Sequence, residues 1–83
     1  MTEPVVVAVI EKNSRETVKV SVSAYMGHIL ADVRVFAPVA GMDALAPTKK
    51  GVSIRADMIS ALRKALDLAE AEARRQGWEG GAA

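Results

Sequence analysis

The chain has 83 residues, a formal net charge of +1 and no cysteine. This length allows one domain, and such a domain buries only roughly 60% of the surface that its unfolded chain exposes. Without cysteine there is no disulfide framework and no thiolate metal site, so oligomerisation is the remaining common support for so small a core. The longest aliphatic run, residues 5–10, is far shorter than the ~20 residues that span a bilayer. We therefore expect a soluble, cytoplasmic protein without membrane contact.

Charge is distributed unevenly along the chain. Residues 12–55 contain seven basic and three acidic side chains, while acidic residues near both ends offset this excess. The basic character is thus confined to the middle of the chain.

The first predicted element is a strand over residues 4–11. It is apolar almost throughout, which is typical of a strand buried on both faces. Residues 12–15 form a polar turn of the kind that Asn and Ser favour. Residues 17–25 then alternate between apolar and polar side chains and predict a second, half-buried strand.

Met26 and Gly27 predict a two-residue hairpin turn into a third strand. This turn fixes the register, so that paired residues have numbers that sum to 53. One face then carries only apolar pairs, such as Val20 with Val33. The other face combines hydroxyls, charges and rings, in the pairs Tyr25 with His28, Ser23 with Leu30, Ser21 with Asp32, Lys19 with Arg34, and Thr17 with Phe36.

The second half of the chain predicts a loop, a short strand and a helix. Pro38 ends the third strand, residues 39–47 read as a loop, and a fourth strand covers only residues 52–55. Apolar residues at a period of 3.6 predict a helix over residues 56–76. Gly77 suits the position after the helix, and Trp78 is placed to fold back onto its last turn. Residues 1–78 form the predicted domain, and residues 79–83 a disordered tail.

Four antiparallel strands followed by one helix predict a two-layer α+β domain. A single helix covers only part of one face of such a sheet, and its small, alanine-rich apolar side lacks a partner. A symmetric dimer formed through the helix would cover both the uncovered part of the sheet and the apolar side of the helix.

An enzyme is the class that the sequence supports least. There is one histidine, no Ser/His/Asp arrangement, no metal-ligand spacing and no glycine-rich phosphate loop. We therefore expect no catalytic residue, no metal and no cofactor.

The polar face of the hairpin instead favours a nucleic-acid partner. Tyr25, His28 and Phe36 share it with Lys19 and Arg34, and cations beside exposed rings suit single strands, whose phosphates and bases they bind. Simpler interpretations stay open. Phe36 can turn into the core, Tyr25 can cap the hairpin, and His28 can be an ordinary turn residue. Asp32 and Arg34 can form an ordinary ion pair, and Lys49 with Lys50 can belong to a solvated turn.

These segments together resemble the transcriptional positive cofactor four family, in particular its compact bacterial members. The resemblance covers roughly residues 7–70 and rests on KNSRETVKVSVSAYMG, HILADVRVF and PTKKGVSI, followed by an amphipathic helix. It implies a curved four-stranded sheet with one helix, a dimer through the helices, and channels for single-stranded DNA, the arms of a melted duplex, or RNA. It also implies a regulator of transcription similar to a coactivator, associated with the nucleoid.

The resemblance assigns roles to individual positions. It makes Tyr25 a base-stacking ring, Gly27 the turn glycine, Arg34 a phosphate or base contact and Lys49 with Lys50 a basic pair, and it adds Lys12 and Arg15 as weaker candidates. Met26 and Ala37 depart from the family, which usually has a basic residue and often a large aromatic there, and they predict a lower affinity. A competing hypothesis makes the chain a protein-interaction module of the transcription machinery, for which nucleic acid is incidental.

Overall fold

The computed structural model describes residues 3–80, which form four strands and one helix. An antiparallel sheet in the order β1-β2-β3-β4 contains β1 (Val5–Glu11), β2 (Thr17–Tyr25), β3 (His28–Pro38) and β4 (Leu45–Arg55). A 3-10 turn, Ala56–Met58, connects β4 to helix α1 (Ile59–Arg75). The predicted α+β class and element order are confirmed.

The β2–β3 hairpin follows the predicted register throughout. Met26 and Gly27 both have positive φ, 52° and 79°, as the two central residues of a type I′ turn require. The two strands pair from Tyr25 with His28 to Thr17 with Phe36, and every pair sums to 53. The apolar and polar faces of this hairpin are therefore separated as the alternation predicts.

Strand β4 is longer than predicted. It begins at Leu45, not at residue 52, so the loop after β3 is shorter than the predicted 39–47. The sequence predicted a shorter fourth strand because Pro47 and Gly51 are residue types that usually interrupt a strand. Here β4 is an edge strand, where proline is tolerated, and Gly51 lies where a Cβ would come within 2.5 Å of the Val33 carbonyl oxygen.

Strand β1 is exposed, which contradicts the prediction of a strand buried on both faces. Val9 is 62% exposed and Val5 60% exposed. The cause is position, since β1 forms the other edge of the sheet and the sheet residues beneath the helix belong to β2, β3 and β4. Its apolar composition reflects surface that a single chain does not cover.

The end of the helix agrees with the sequence. The Gly77 N–H donates to the Arg74 carbonyl and the Trp78 N–H to the Ala73 carbonyl, which is the Schellman arrangement. Trp78 folds back as predicted, with its ring 4.9 Å from the Arg74 guanidinium. Residues 79 and 80 have no regular structure, whereas residues 81–83 of the predicted tail and residues 1–2 of the predicted domain lie outside the described residues.

The helix lies over the apolar face of the sheet without packing tightly on it. A cavity of about 220 Å³ separates the two, between sheet residues such as Val33 and Ile54 and helix residues such as Leu62 and Leu66. Among residues 3–80, Ala31 is the one buried apolar side chain, at 7% exposure. The radius of gyration is 15.0 Å, against about 12 Å for a compact domain of this length. None of the described helices is long and apolar enough to cross a membrane.

Candidate nucleic-acid interface

The polar face of the sheet carries its charges and rings in rows across neighbouring strands. One row contains Lys19, Arg34 and Gly51, and the next contains Thr17, Phe36 and Pro47. Tyr25 and His28 form the row at the opposite end of the hairpin. Lys19 and Tyr25 are six positions apart on β2, which corresponds to about 20 Å along the strand. The predicted site therefore has two parts.

Lys19 and Phe36 are in direct contact. The Lys19 ammonium lies 4.5 Å from the centroid of the Phe36 ring, a distance typical of a cation–π interaction. Both side chains are half-buried. The ring lies on the polar face as predicted, but a base could stack on its lysine-covered side only after Lys19 had moved.

Arg34 is held by two partners. Its Nε and Nη2 donate to the two carboxylate oxygens of Asp32 at 3.0 and 2.9 Å, and its Nη1 donates to the Thr48 carbonyl at 3.0 Å. The hydrogen bond with Asp32 raises the pKa of Arg34 above its already high ordinary value, so the guanidinium stays charged. The ion pair that the sequence left open is present within β3, and the hydrogen bond to Thr48 joins the arginine to β4.

Lys49 and Lys50 lie on an irregular part of β4, not in a turn before the strand as predicted. Arg34 pairs with Gly51 and Phe36 pairs with Pro47, so Val35 alone faces residues 48–50. Two extra residues on one strand make a β-bulge. Both lysines are exposed.

The β1–β2 turn brings Lys12 and Arg15 to the Phe36 end of the polar face, because Glu11 pairs with Thr17 and Thr17 with Phe36. Asn13 organises this turn, since its Oδ1 accepts hydrogen bonds from the Arg15 and Glu16 N–H groups at 2.9 and 2.8 Å.

Glu16 offsets part of the positive charge at this turn. Lys12 forms an ion pair with it at 3.2 Å. Hydrogen bonds from Asn13 and then Lys12 lower the pKa of Glu16, and the charge of Lys50 contributes to the same shift. Lys50 therefore acts electrostatically on this turn from β4.

An open cavity of about 500 Å³ lies between the turn and the end of β3. Arg15, Glu16, Ala37 and Pro38 contribute to its lining. Ala37, one of the two departures from the family pattern, thus borders space that a larger side chain would reduce.

The hairpin end carries the second part of the predicted site. Tyr25 is 55% exposed and pairs with His28, while Gly27 supplies one of the two positive φ angles of the turn. Met26, the other departure, is at the tip and largely exposed. A cavity of about 250 Å³ beside the turn is lined by Gly27, His28 and four residues not predicted for the site, Ile29, Arg55, Ala56 and Asp57.

The sequence also missed Thr48. It gave no signal for this residue, because a threonine before two lysines resembles any polar turn. The role of Thr48 depends on the bulge, which is visible only when β4 is paired with β3.

The comparisons with known proteins agree with the observed fold. The sequence profile of the family Transcriptional Coactivator p15 (PC4) matches residues 12–65, more than half of the chain. The structure is similar to that of a PC4 homologue from Burkholderia pseudomallei, with a TM-score of 0.74 and 26% identity over 82% of this chain and 98% of that chain.

Two further structures share the fold. A bacteriophage T5 homologue of the eukaryotic coactivator PC4, implicated in recombination-dependent DNA replication, has a TM-score of 0.69 and 21% identity over 88% of this chain and 83% of that chain. MoSub1 in complex with single-stranded DNA has a TM-score of 0.63 and 23% identity over 88% of this chain and 83% of that chain. No curated protein sequence matches the chain.

Proposed function

The chain belongs to the Transcriptional Coactivator p15 (PC4) family, and from that premise we propose that it binds single-stranded DNA without sequence preference and acts as a coactivator-like regulator of transcription. Its role is to hold unpaired strands on the polar face of the sheet, and it performs no catalytic step. The protein works at the nucleoid, in the cytoplasm.

The observation that carries this proposal is the cluster of cations at one end of the polar face. Lys49 and Lys50 are exposed on the β4 bulge, next to the row that contains Lys19 and Arg34. Phosphates of a flexible strand bind such cations, and this electrostatic contact requires no particular base.

Aromatic side chains supply the second kind of contact. Phe36 lies in the cationic part and Tyr25 lies at the hairpin end, where more than half of its surface is exposed. An unpaired base stacks on such a ring with roughly 1–3 kcal/mol, whereas the bases of a duplex are already stacked on one another. This difference favours single strands over duplexes.

RNA belongs to the same chemical class of ligand as single-stranded DNA. Both backbones offer phosphates and both offer bases that stack, and only a contact with the 2′-hydroxyl would separate them. The structure of MoSub1 with single-stranded DNA supports the choice of DNA for this fold.

The proposal includes a homodimer formed through the helices. Leu66 is 60% exposed and Leu68 73% exposed, and the apolar gap between helix and sheet leaves a single chain nearly without a core. A second copy would cover these surfaces and supply the buried area that so small a domain needs. Two polar faces would then hold two single strands or the arms of a melted duplex.

The direct test is fluorescence anisotropy with a labelled oligothymidine of ~20 nucleotides, with the matching duplex and an RNA of the same length, at two salt concentrations. We expect tighter binding of the single strand than of the duplex, and weaker binding at the higher salt concentration. Absence of single-strand binding at low salt would contradict the proposal. It would favour the alternative that the chain recruits a protein of the transcription machinery.

Replacing Lys49 and Lys50 by alanine tests the cationic cluster. Each phosphate contact that is lost should reduce the slope of log affinity against log salt by ~0.7. Lys64→Ala removes one such charge from the exposed surface of α1 and serves as the control, with an unchanged slope expected. Equal slopes for all three proteins would contradict the assignment of the bulge lysines to phosphate binding.

A further inference from the structure

The lysine pair lies on the least regular backbone of the sheet. Between the pairs Arg34–Gly51 and Phe36–Pro47, β3 contributes one residue and β4 contributes three. A bulge leaves backbone groups without their normal ladder partners, so other hydrogen bonds must fix its shape.

Thr48 makes these bonds in three directions. Its hydroxyl donates to the Val35 carbonyl at 2.8 Å, the same hydroxyl accepts from the Lys50 N–H at 3.1 Å, and its carbonyl accepts from Arg34 at 3.0 Å. Thr48 is the less exposed member of the bulge, whereas both lysines beside it are exposed.

Arg34, which donates to the Thr48 carbonyl, is itself held in place. Asp32 holds the Arg34 guanidinium with two hydrogen bonds, and Asp32 and Arg34 both belong to β3. These hydrogen bonds therefore fix the position of the bulge relative to β3, the strand that carries Phe36.

The lysine side chains have no comparable support. Among residues 3–80, the ammonium group of neither Lys49 nor Lys50 forms an ion pair or a hydrogen bond. The position of each ammonium group therefore depends mainly on the position of the backbone to which its flexible side chain is attached.

We propose that Thr48 is a positioning residue for nucleic-acid binding, which fixes the bulge so that Lys49 and Lys50 meet successive phosphates of one strand. This inference rests on the proposed function and deepens it. Thr48 itself need not touch the ligand. Its hydroxyl holds the backbone before binding, so that less conformational freedom is lost when the strand binds.

The test compares Thr48→Val, which keeps the shape and removes the hydroxyl, in two backgrounds. In the otherwise unchanged chain we expect about a three- to tenfold loss of affinity for oligothymidine, the range for one or two side chains that must be ordered on binding. In the Lys49→Ala/Lys50→Ala background the same change should alter affinity less than about twofold, because the groups that it positions are absent.

Two additional measurements separate positioning from general stability. Thr48→Ser keeps the hydroxyl and should restore binding. Hydrogen exchange of the Lys50 amide should speed up in Thr48→Val and stay slow in Thr48→Ser, while amides of the β2–β3 hairpin keep their protection. If Thr48→Val does not fold, Thr48→Cys replaces it in the test, because a thiol is only a weak hydrogen-bond donor and acceptor.

The outcomes are distinct. Equal loss of affinity in both backgrounds, or no loss although the lysine replacements weaken binding, would overturn the positioning role and leave the proposed function in place. If the unchanged chain does not bind oligothymidine at all, the proposed function fails and the positioning role falls with it.

Discussion

Arg34 forms the ion pair that the sequence offered as one interpretation, and it keeps free donors for the ligand contact that the sequence offered as the other. Three of its N–H groups donate to Asp32 and Thr48, which leaves two of the five guanidinium donors for a ligand. Its side chain is 24% exposed and that of Asp32 26%, so the pair is still reachable from solvent. The spacing of Asp32 and Arg34 indicated an ion pair. The contact with Thr48 could not be predicted, because it depends on where the bulge of β4 lies.

Glu16 is the residue whose replacement should strengthen binding. It stays charged at neutral pH, since hydrogen bonds from Asn13 and Lys12 lower its pKa. Glu16→Gln keeps an acceptor for Asn13 and removes the negative charge beside Lys12 and Lys50. We expect about a two- to fivefold higher affinity for oligothymidine at low salt, and a smaller gain at high salt.

Glu79→Gln provides the control, because it removes the same charge beyond the end of α1. Anisotropy titrations of both variants at two salt concentrations would measure the effect. A lower affinity of Glu16→Gln would show that Glu16 supports the turn more than it repels the ligand.

At the scale of elements, the β2–β3 hairpin was predictable, whereas the exposure of β1 and the extent of β4 were not. Strict alternation and a Met26-Gly27 turn determine a hairpin locally, so its limits and register follow from sequence. Strand β4 contains a proline, a bulge and Gly51, and only pairing with β3 explains why these residues still form a strand. The exposure of β1 depends on what covers the sheet, which no local pattern reveals.

Gly51 should be required for the close approach of β4 to β3. A Cβ at this position would lie 2.5 Å from the Val33 carbonyl oxygen and 2.8 Å from the Arg34 Cα, both of which belong to backbone that cannot easily move. We expect Gly51→Ala to lower the free energy of unfolding by ~1–3 kcal/mol. Denaturant unfolding measures this change. Ser53→Ala, two residues along the same strand, is the control and should have little effect.

The stability of the last turn of α1 should depend on pH. Hydrogen bonds from Arg75 and then Gln76 lower the pKa of Glu72 below its ordinary value. A lowered carboxylate pKa means that the interaction is fully present above about pH 4.5 and is lost as pH falls through the lower, folded-state pKa. Helix content followed by circular dichroism should therefore decrease at acidic pH, and less so in Glu72→Gln. Identical pH profiles for both proteins would contradict this role of Glu72.

At the scale of the whole molecule, the single chain is an open layer, 42 × 36 × 18 Å. Its sheet, helix and connecting turn form without a closed core, and Ala31 is the one apolar side chain buried among residues 3–80. The sequence indicated this weakness through its length and its alanine-rich helix. It could not indicate how far α1 stands away from the sheet.

Leu68→Glu tests the dimer. Leu68 is 73% exposed in one chain, so its replacement should be harmless to a monomer and harmful only where a second chain covers it. We expect the unchanged protein to sediment as a dimer at micromolar concentration, with a midpoint of thermal unfolding that rises with concentration. The variant should sediment as a monomer and unfold at a lower temperature. Lys64→Glu, also on α1, is the control, and a stable monomer of the unchanged protein would rule out the dimer.

The exposed edge strand β1 also bears on aggregation. Residues 5–10 form a run of six β-favouring or small apolar residues without charge or proline, and they lie on an edge whose backbone groups can pair with another chain. Such a segment can template cross-β stacking. Glu3 and Pro4 precede the run, and Glu11 and Lys12 follow it, which are residues that interrupt stacking of this kind. These four flanking residues would limit fibril formation whenever β1 is uncovered.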